Sequence, residues 1–313
     1  MPSTSTGTIG AIANKELRTF LGNPTGYVFL TLFIVASAAA AFLTDTFFGR
    51  NLADLATLNK WMPAILMFFV PAITMNLWAD ERRSGTDELL LTLPVRDTEV
   101  VLGKFFGALG VYTVGLLFSL ANVLVLAYLG EPDVGLMFAT YLGYWLMGAL
   151  FVAVGMMGSM FTGNTTVAFI LGALGCAALV FAGQAPWSSG LIGVVMVGAL
   201  IALAWNVIVG SGKGAGQAAA IGVGVLIGLT LWLALPLKLI DMARGLAGTE
   251  SDLAASLKDV GVWFTDTFAA IGAPSHFESF GEGLVRLGDM AYFIGGAAVA
   301  LYLCGILISR RHW

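Results

Sequence analysis

Charge is what this chain has least of. Only 11% of its 313 residues are Asp, Glu, Lys or Arg, less than half the roughly 25% usual in soluble domains. Histidine and cysteine are scarcer still, two of each: His276, His312, Cys176 and Cys304. With so few, no Cys/His/Asp cluster has metal-ligand spacing, no disulfide framework is expected, and no Ser-centred catalytic elbow is present. His276 reads as a solvated or locally bonded side chain. A net charge of −4 leaves no basic footprint for nucleic acid. The chain does not read as an enzyme, and no cofactor or metal site is expected on it.

Apolar residues fill the space, 58% of the chain, with a mean hydropathy of +0.89. They are laid out in eight runs, approximately Tyr27–Thr44, Trp61–Ala79, Phe105–Leu129, Leu136–Phe161, Thr165–Gly183, Leu191–Val209, Ala218–Leu237 and Met290–Ser309. About 20 apolar residues cross a bilayer core as a helix. Helices are required because every backbone N–H and C=O in lipid must be satisfied within the span. The runs are too long and too evenly apolar for barrel strands. The expected fold is an all-α polytopic membrane protein, one transmembrane domain over 1–313 with about eight transmembrane helices.

The interiors of these runs hold no Asp, Glu, Lys, Arg or His; Asn76, Asn122 and Asn206 are their notable polar residues. Titrating groups mark ion and proton pathways in membranes, so their absence argues against an ion-coupled carrier. Small residues abound instead, Gly143, Gly148, Gly155 and Gly158 in the fourth run and Gly172 and Gly175 in the fifth, which allows close helix approach within one bundle.

Lys and Arg in the connections set the orientation. With the N-terminus inside, nine of the 15 fall on cytoplasmic segments, among them Lys15, Arg18, Arg82, Arg83, Arg96 and Lys104. Four of the six outer ones lie in a single long segment, 238–289, where positive charge steers topology less. Both termini and the segment 80–104 are therefore expected in the cytoplasm. "VASAAAAF" resembles a signal-peptidase site, but the polar leader and the long run favour an uncleaved first span.

Between Ile9 and Leu21, the residues Ile9, Ile12, Ala13, Leu17 and Phe20 recur at helical spacing among Lys15, Glu16, Arg18 and Thr19. This predicts an amphipathic helix over 9–21 in the cytoplasmic interface, which "GNPTGY" turns into the first span. Pro71 interrupts the second span and predicts a kink. In the outer segment 238–289, Leu253, Leu257, Val260, Phe264, Phe268 and Ile271 form one helical stripe, and Phe277, Phe280, Leu284 and Leu287 another. They fit two helices on the outer leaflet or a folded cap over the bundle. "GSGKGAG" (Gly210–Gly216) lacks the first Gly and the final Ser/Thr of a phosphate-binding loop, and "NTT" (Asn164–Thr166) lies on the wrong side for glycosylation.

Against this apolar background, "DERRSGTDELLLTLPVRDTEV" (Asp80–Val100) packs nine charges into twenty-one positions. Ser84 and Asp87 have capping-box spacing, predicting a helix that starts at Ser84, runs through Glu88 and Leu89–Leu91, and stops near Pro94. Asp97 or Thr98 would cap the following helix. A leucine-rich helix in a polar loop needs another surface to cover it.

These residues resemble the first cytoplasmic loop of ABC-2 type permeases, whose E-R-x-x-G-T-x-E-x-L-x-x-x-P pattern forms a coupling helix on an ATPase subunit. Glu81, Arg82, Gly85, Thr86, Glu88, Leu90 and Pro94 match it. "NKELRTFLGNPTGYVFLTLF" (Asn14–Phe33) is similar to the family's interfacial helix and first span, in which Ile9, Ile12, Leu17 and Phe20 would face the interface. "HFESFGEGLVRLGDMAYF" (His276–Phe293) and the terminal "RRHW" resemble the gliding-motility GldF branch. The similarity covers roughly 9–183 and 276–313; between them a transmembrane hairpin, 191–237, is added to a six-span core.

The resemblance implies the membrane-spanning subunit of an ATP-driven exporter in the bacterial cytoplasmic (inner) membrane. It implies a separate ABC ATPase that uses ATP and Mg2+, and a second permease subunit, identical or related. Glu81, Arg82 and Arg83 would make charged contacts at the joint, and Leu89, Leu90 and Leu93 would fill a hydrophobic groove. A force-transmitting subunit that moves no substrate, and a membrane scaffold without an ATPase, are the alternative readings. The sequence names no substrate.

Overall fold

The computed structural model describes residues 5–43, 55–86, 95–130, 132–184, 186–209, 223–224, 226–228 and 262–309. Among them every regular element is a helix, as the apolar periodicity predicts. Contacts divide the chain into two compact units, 1–180 with 276–313, and 181–275.

The first unit begins with α1 (Ser5–Leu21) and α2 (Pro24–Phe42). The two are bent by 78°. Gly22 caps the first with its N–H on the Arg18 carbonyl, Pro24 opens the second at the position proline tolerates best, and a side chain at Gly26 would collide with the Phe20 carbonyl. The "GNPTGY" turn therefore falls where its Gly and Pro residues place it.

Next come α3 (Ala56–Thr74) and α4 (Asn76–Ser84), which read as one rod of 29 residues. Pro71 lies inside α3 but does not end it. The interruption comes a turn later at Met75, which keeps helical dihedrals and returns its N–H to the Pro71 carbonyl at 2.9 Å. α5 (Asp97–Ser119) and α6 (Ala121–Leu129) likewise join into 33 residues. α7 (Val134–Met160) starts on Asp133, whose Oδ1 accepts from the N–H groups of Gly135 and Leu136. α8 (Thr165–Phe181) starts on Asn164, whose Oδ1 accepts from Thr166 and Val167. The unit closes with α10 (Ala273–Gly281) and α11 (Leu287–Ser309).

Four of these helices are long and apolar enough to cross a membrane: Ala56–Ser84, Asp97–Leu129, Val134–Met160 and Leu287–Ile308. The bent pair α1–α2 adds a fifth if it counts as one span, and α8 is shorter. Of the expected runs, Ala218–Leu237 lies mostly outside the described residues.

α7 is the centre of the unit. Tyr144, Met147, Phe151, Val152 and Met156 are fully buried along it. Its glycines are contact points: a Cβ at Gly148 would overlap the Tyr112 ring, one at Gly155 the Thr74 hydroxyl, and one at Gly158 would lie 2.7 Å from the Gly172 nitrogen. Buried polar groups tie the same helices. Tyr112 donates to the Tyr144 carbonyl at 2.8 Å, Tyr141 to the Ser119 carbonyl at 2.8 Å, and Asn122 to Ser37 at 3.3 Å.

The second phenylalanine stripe of the outer segment is covered by protein. Phe277 and Phe280 of α10 are buried; Phe277 stacks on Tyr144 and Phe280 meets Phe293. Gly143 of α7 makes the room, since a Cβ there would be 2.7 Å from Phe280. His276 is locally bonded: it shares a 2.8 Å hydrogen bond with Asp289, stacks on Tyr292, and its neighbour Ser279 donates to the other Asp289 oxygen at 2.6 Å. Leu284 and Leu287 remain exposed.

In the second unit, α9 (Pro186–Val209) covers the first half of the expected hairpin. A Cβ at Gly224 would lie 2.8 Å from the Gly198 Cα and one at Gly228 2.8 Å from the Val194 Cα, a four-residue glycine spacing that lets a second helix lie close. Residues 262–269 are helical, and Phe264 and Phe268 pack on Gly193. The rest of the hairpin, "GSGKGAG" and residues 238–261 lie outside the described residues.

Candidate functional site

α4 carries the first part of the charged block to the loop, and its end is built differently from the expectation. Ser84 does not start a helix. It is the last residue of α4, its hydroxyl donates back to the Asp80 carbonyl at 2.8 Å, and Gly85 follows at φ 68, the left-handed cap that glycine adopts without strain. Thr86 closes the turn against the Ser84 hydroxyl at 2.9 Å. The S-x-x-D spacing is outweighed because the apolar face of Leu77 and Trp78 carries the helix to Ser84 before the chain can turn. On the far side, α5 starts at Asp97 with Arg96 in the cap position, so Asp97 lies in the first turn, where its charge suits the helix dipole. Glu88, Leu89, Leu90, Leu93 and Pro94 lie outside the described residues.

The charges at the end of α4 split into two groups. Glu81 and Arg82 point into the protein. Arg82 donates to the Met160 carbonyl at the end of α7, 2.8 Å away, satisfying one of the orphan carbonyls of that helix. Asp80 accepts from Thr165 at the start of α8 at 3.3 Å. Arg83, by contrast, is 70% exposed and, among the described residues, bonded only along its own helix, to Asp80 at 3.4 Å. Ser84, Gly85 and Thr86 are exposed with it.

Glu81 meets a residue that the sequence reading counted only as a topology charge. Lys104 is 1% exposed, two turns into α5. Its ammonium lies 2.8 Å from Glu81, 3.4 Å from Glu16 of α1, on the Leu77 carbonyl, and 4.7 Å from the centre of the Trp78 ring. Two hydrogen bonds, to Glu16 and the Leu77 carbonyl, and the close ion pair with Glu81 thus compensate the buried ammonium. Lys15 adds a second cation, 3.3 Å from Glu81 and 3.5 Å from Glu16, so two ammonium groups balance two carboxylates. Partial burial pulls the Lys15 pKa down, but the two carboxylates outweigh it and hold it above the ordinary lysine value. The segment 80–104 is therefore not a loop up to its last residue: Lys104 belongs to the packed interior.

α1 is seated by the same helix. A Cβ at Gly103 would be 2.7 Å from Ile12, one at Gly107 2.7 Å from Glu16, and one at Gly110 3.3 Å from Leu17. The expected apolar face of α1, with Ile9, Ile12, Leu17 and Phe20 half-buried, is thus turned toward a glycine stripe of α5. Sequence reasoning missed Glu16, Lys104 and this stripe. The signal was there: a lone Lys one residue after Gly103 and three before Gly107, on a helical period, must find partners if that face is packed.

Nothing in this constellation positions a nucleophile against a base. It does join α1, α4, α5, α7 and α8 through the last turn of α4. A family model described as ABC-2 family transporter protein matches residues 53–209, half of the chain. The chain belongs to the ABC-2 transporter family. No curated protein matches it. As an ABC-2 protein it is a permease-type, multi-pass membrane subunit. The family is in general the non-catalytic membrane component that associates with an ATPase subunit.

Proposed function

We propose that this ABC-2 protein is the permease subunit of an ATP-driven exporter, coupled to a separate ATPase through residues 80–100. The observation that carries the reading is the anchoring of α4. Its last turn is bonded to α1, α5, α7 and α8 through Glu81, Arg82 and Asp80, while Arg83–Thr86 face outward. A push on the loop would therefore move several membrane helices together. Closure of an ATPase pair, using ATP and Mg2+, would press on the Glu81–Pro94 element and tilt α3 and α5, opening a path on the far side. The same reading has about eight spans, both termini on the loop side, α1 at the cytoplasmic interface, a second permease, identical or related, and the bacterial inner membrane as its site. The similarity of His276–Phe293 to the GldF branch supports a place near that branch.

Co-purification in gentle detergent tests it. Wild type should retain an ABC ATPase. Arg83→Glu combined with Leu90→Asp should release it while the permease elutes unchanged, because the Arg83 side chain is 70% exposed and its ion pair among the described residues is with Asp80 of its own helix. Wild type that retains no ATPase in native lipid would overturn the coupling.

A further inference from the structure

A cavity of about 460 Å³ lies beside the ion cluster, between α1, α2, α3, α4 and α5, with Thr165 of α8 at its edge. Its two sides differ in chemistry. One is polar and charged, with Lys15, Glu16, Asp80, Glu81 and Arg83; the other is apolar, with Phe20, Phe29, Ile73 and Val111. Beyond those four residues the gap toward Phe33 and Phe69 narrows to about 10 Å³, no larger than one water, so the chamber's own apolar wall is the surface an apolar group would lie against. A chamber with one charged and one phenylalanine-lined side suits an amphiphile.

The charged side is also selective. Glu81 gives one oxygen to Lys104 and Lys15, but its Oε2 is buried and has no hydrogen-bond partner among the described residues. A buried carboxylate oxygen in that state favours an incoming N–H donor. At the rim, the ammonium of Lys15 and the guanidinium of Arg83 are 60% and 70% exposed and available to an anion. Donor-seeking carboxylate inside, cations at the rim and an apolar wall on the other side match three parts of one molecule.

We infer that this cavity binds a phospholipid with a primary-amine headgroup, the phosphoethanolamine class, its ammonium on Glu81, its phosphate on Lys15 and Arg83, and the start of its acyl chain along the wall of Phe20, Phe29, Ile73 and Val111. The inference concerns occupancy of this chain and holds whether or not an ATPase joins the loop. A lipid there would wedge between α1 and the α3–α4 rod.

The test uses the full-length protein in nanodiscs of equimolar phosphatidylethanolamine, phosphatidylcholine and phosphatidylglycerol, extracted and read by native mass spectrometry. Wild type should retain phosphatidylethanolamine about tenfold over phosphatidylcholine, whose quaternary nitrogen has no N–H; tenfold is the effect of one good hydrogen bond. Arg83→Ala should weaken retention, and Thr19→Trp, which fills the cavity from an exposed position of α1, should abolish it. Glu81→Gln should erase the preference; because Glu81 also holds Lys104, the two surface variants decide if that one fails to elute as a folded species. Equal retention of all three lipids, insensitive to Thr19→Trp, would mean annular lipid and overturn the proposal. Preference for phosphatidylglycerol would overturn the amine assignment. Displacement of the lipid by soluble O-phosphoethanolamine alone would overturn the role of the apolar wall.

Discussion

Replacing Lys104 with Met probes the cluster most directly. Methionine keeps the length and the apolar stem but removes three contacts at once: Glu81 at 2.8 Å, Glu16 at 3.4 Å and the Leu77 carbonyl. Glu81 is left with a side chain only 15% exposed and a second oxygen already without a partner. Removing one member of a buried pair costs about 3–5 kcal/mol. Lys15 still touches both carboxylates from the surface, so the loss should fall at the lower end, about 3 kcal/mol. At roughly 2–4 °C per kcal/mol for a domain of this size, the melting midpoint in detergent should drop on the order of 10 °C. Tryptophan fluorescence would report it, since Trp78 stacks under the ammonium. The double variant Lys104→Met/Glu81→Gln should recover about 2 kcal/mol relative to the sum of the single changes, because it removes the stranded charge. A single variant within about 0.5 kcal/mol of wild type, the spread of ordinary surface changes, would refute the cluster as drawn, and so would strict additivity.

Two more outcomes follow from the glycines. Gly107→Leu places a side chain where Glu16 and the Ala13 carbonyl now lie, at 2.7 and 3.0 Å; it should cost about 1–3 kcal/mol and lift α1, so that trypsin cuts at Lys15 and Arg18 at least tenfold faster than in wild type. Unchanged proteolysis would mean that α1 does not depend on the stripe. Gly85 has open space around it but φ 68, so Gly85→Val should cost about 1–2 kcal/mol from backbone strain alone and Gly85→Asn much less; equal thermal midpoints for the two would refute the left-handed cap.

The helices were legible because their cause is local. Apolar runs near 20 residues, the Gly–Asn–Pro turn after Leu21 and the 3.6-residue stripe of α1 are all written in neighbouring positions. The start of the helix that leads into the third span was legible as well: the spacing puts Asp97 or Thr98 at its cap, and the helix begins at Asp97, one position after the Arg96 cap. Ser84 misled because capping-box spacing is satisfied in sequence, yet the helix reaching it from Asn76 had already used the position as its end.

From the sequence alone come the membrane class, the all-helical architecture, the family motif and the position of the charged loop, because hydropathy and backbone satisfaction in lipid depend on each segment by itself. Only the tertiary structure decided which charges are solvated and which are paired. Lys104 and Glu16 are 88 residues apart; the glycines around Lys104 mark a packed face, but nothing local says that Glu16 is what meets it. Their meeting follows from Gly103, Gly107 and Gly110 admitting α1 at backbone distance, which brings a carboxylate within reach of a lysine that would otherwise have no place in an apolar interior.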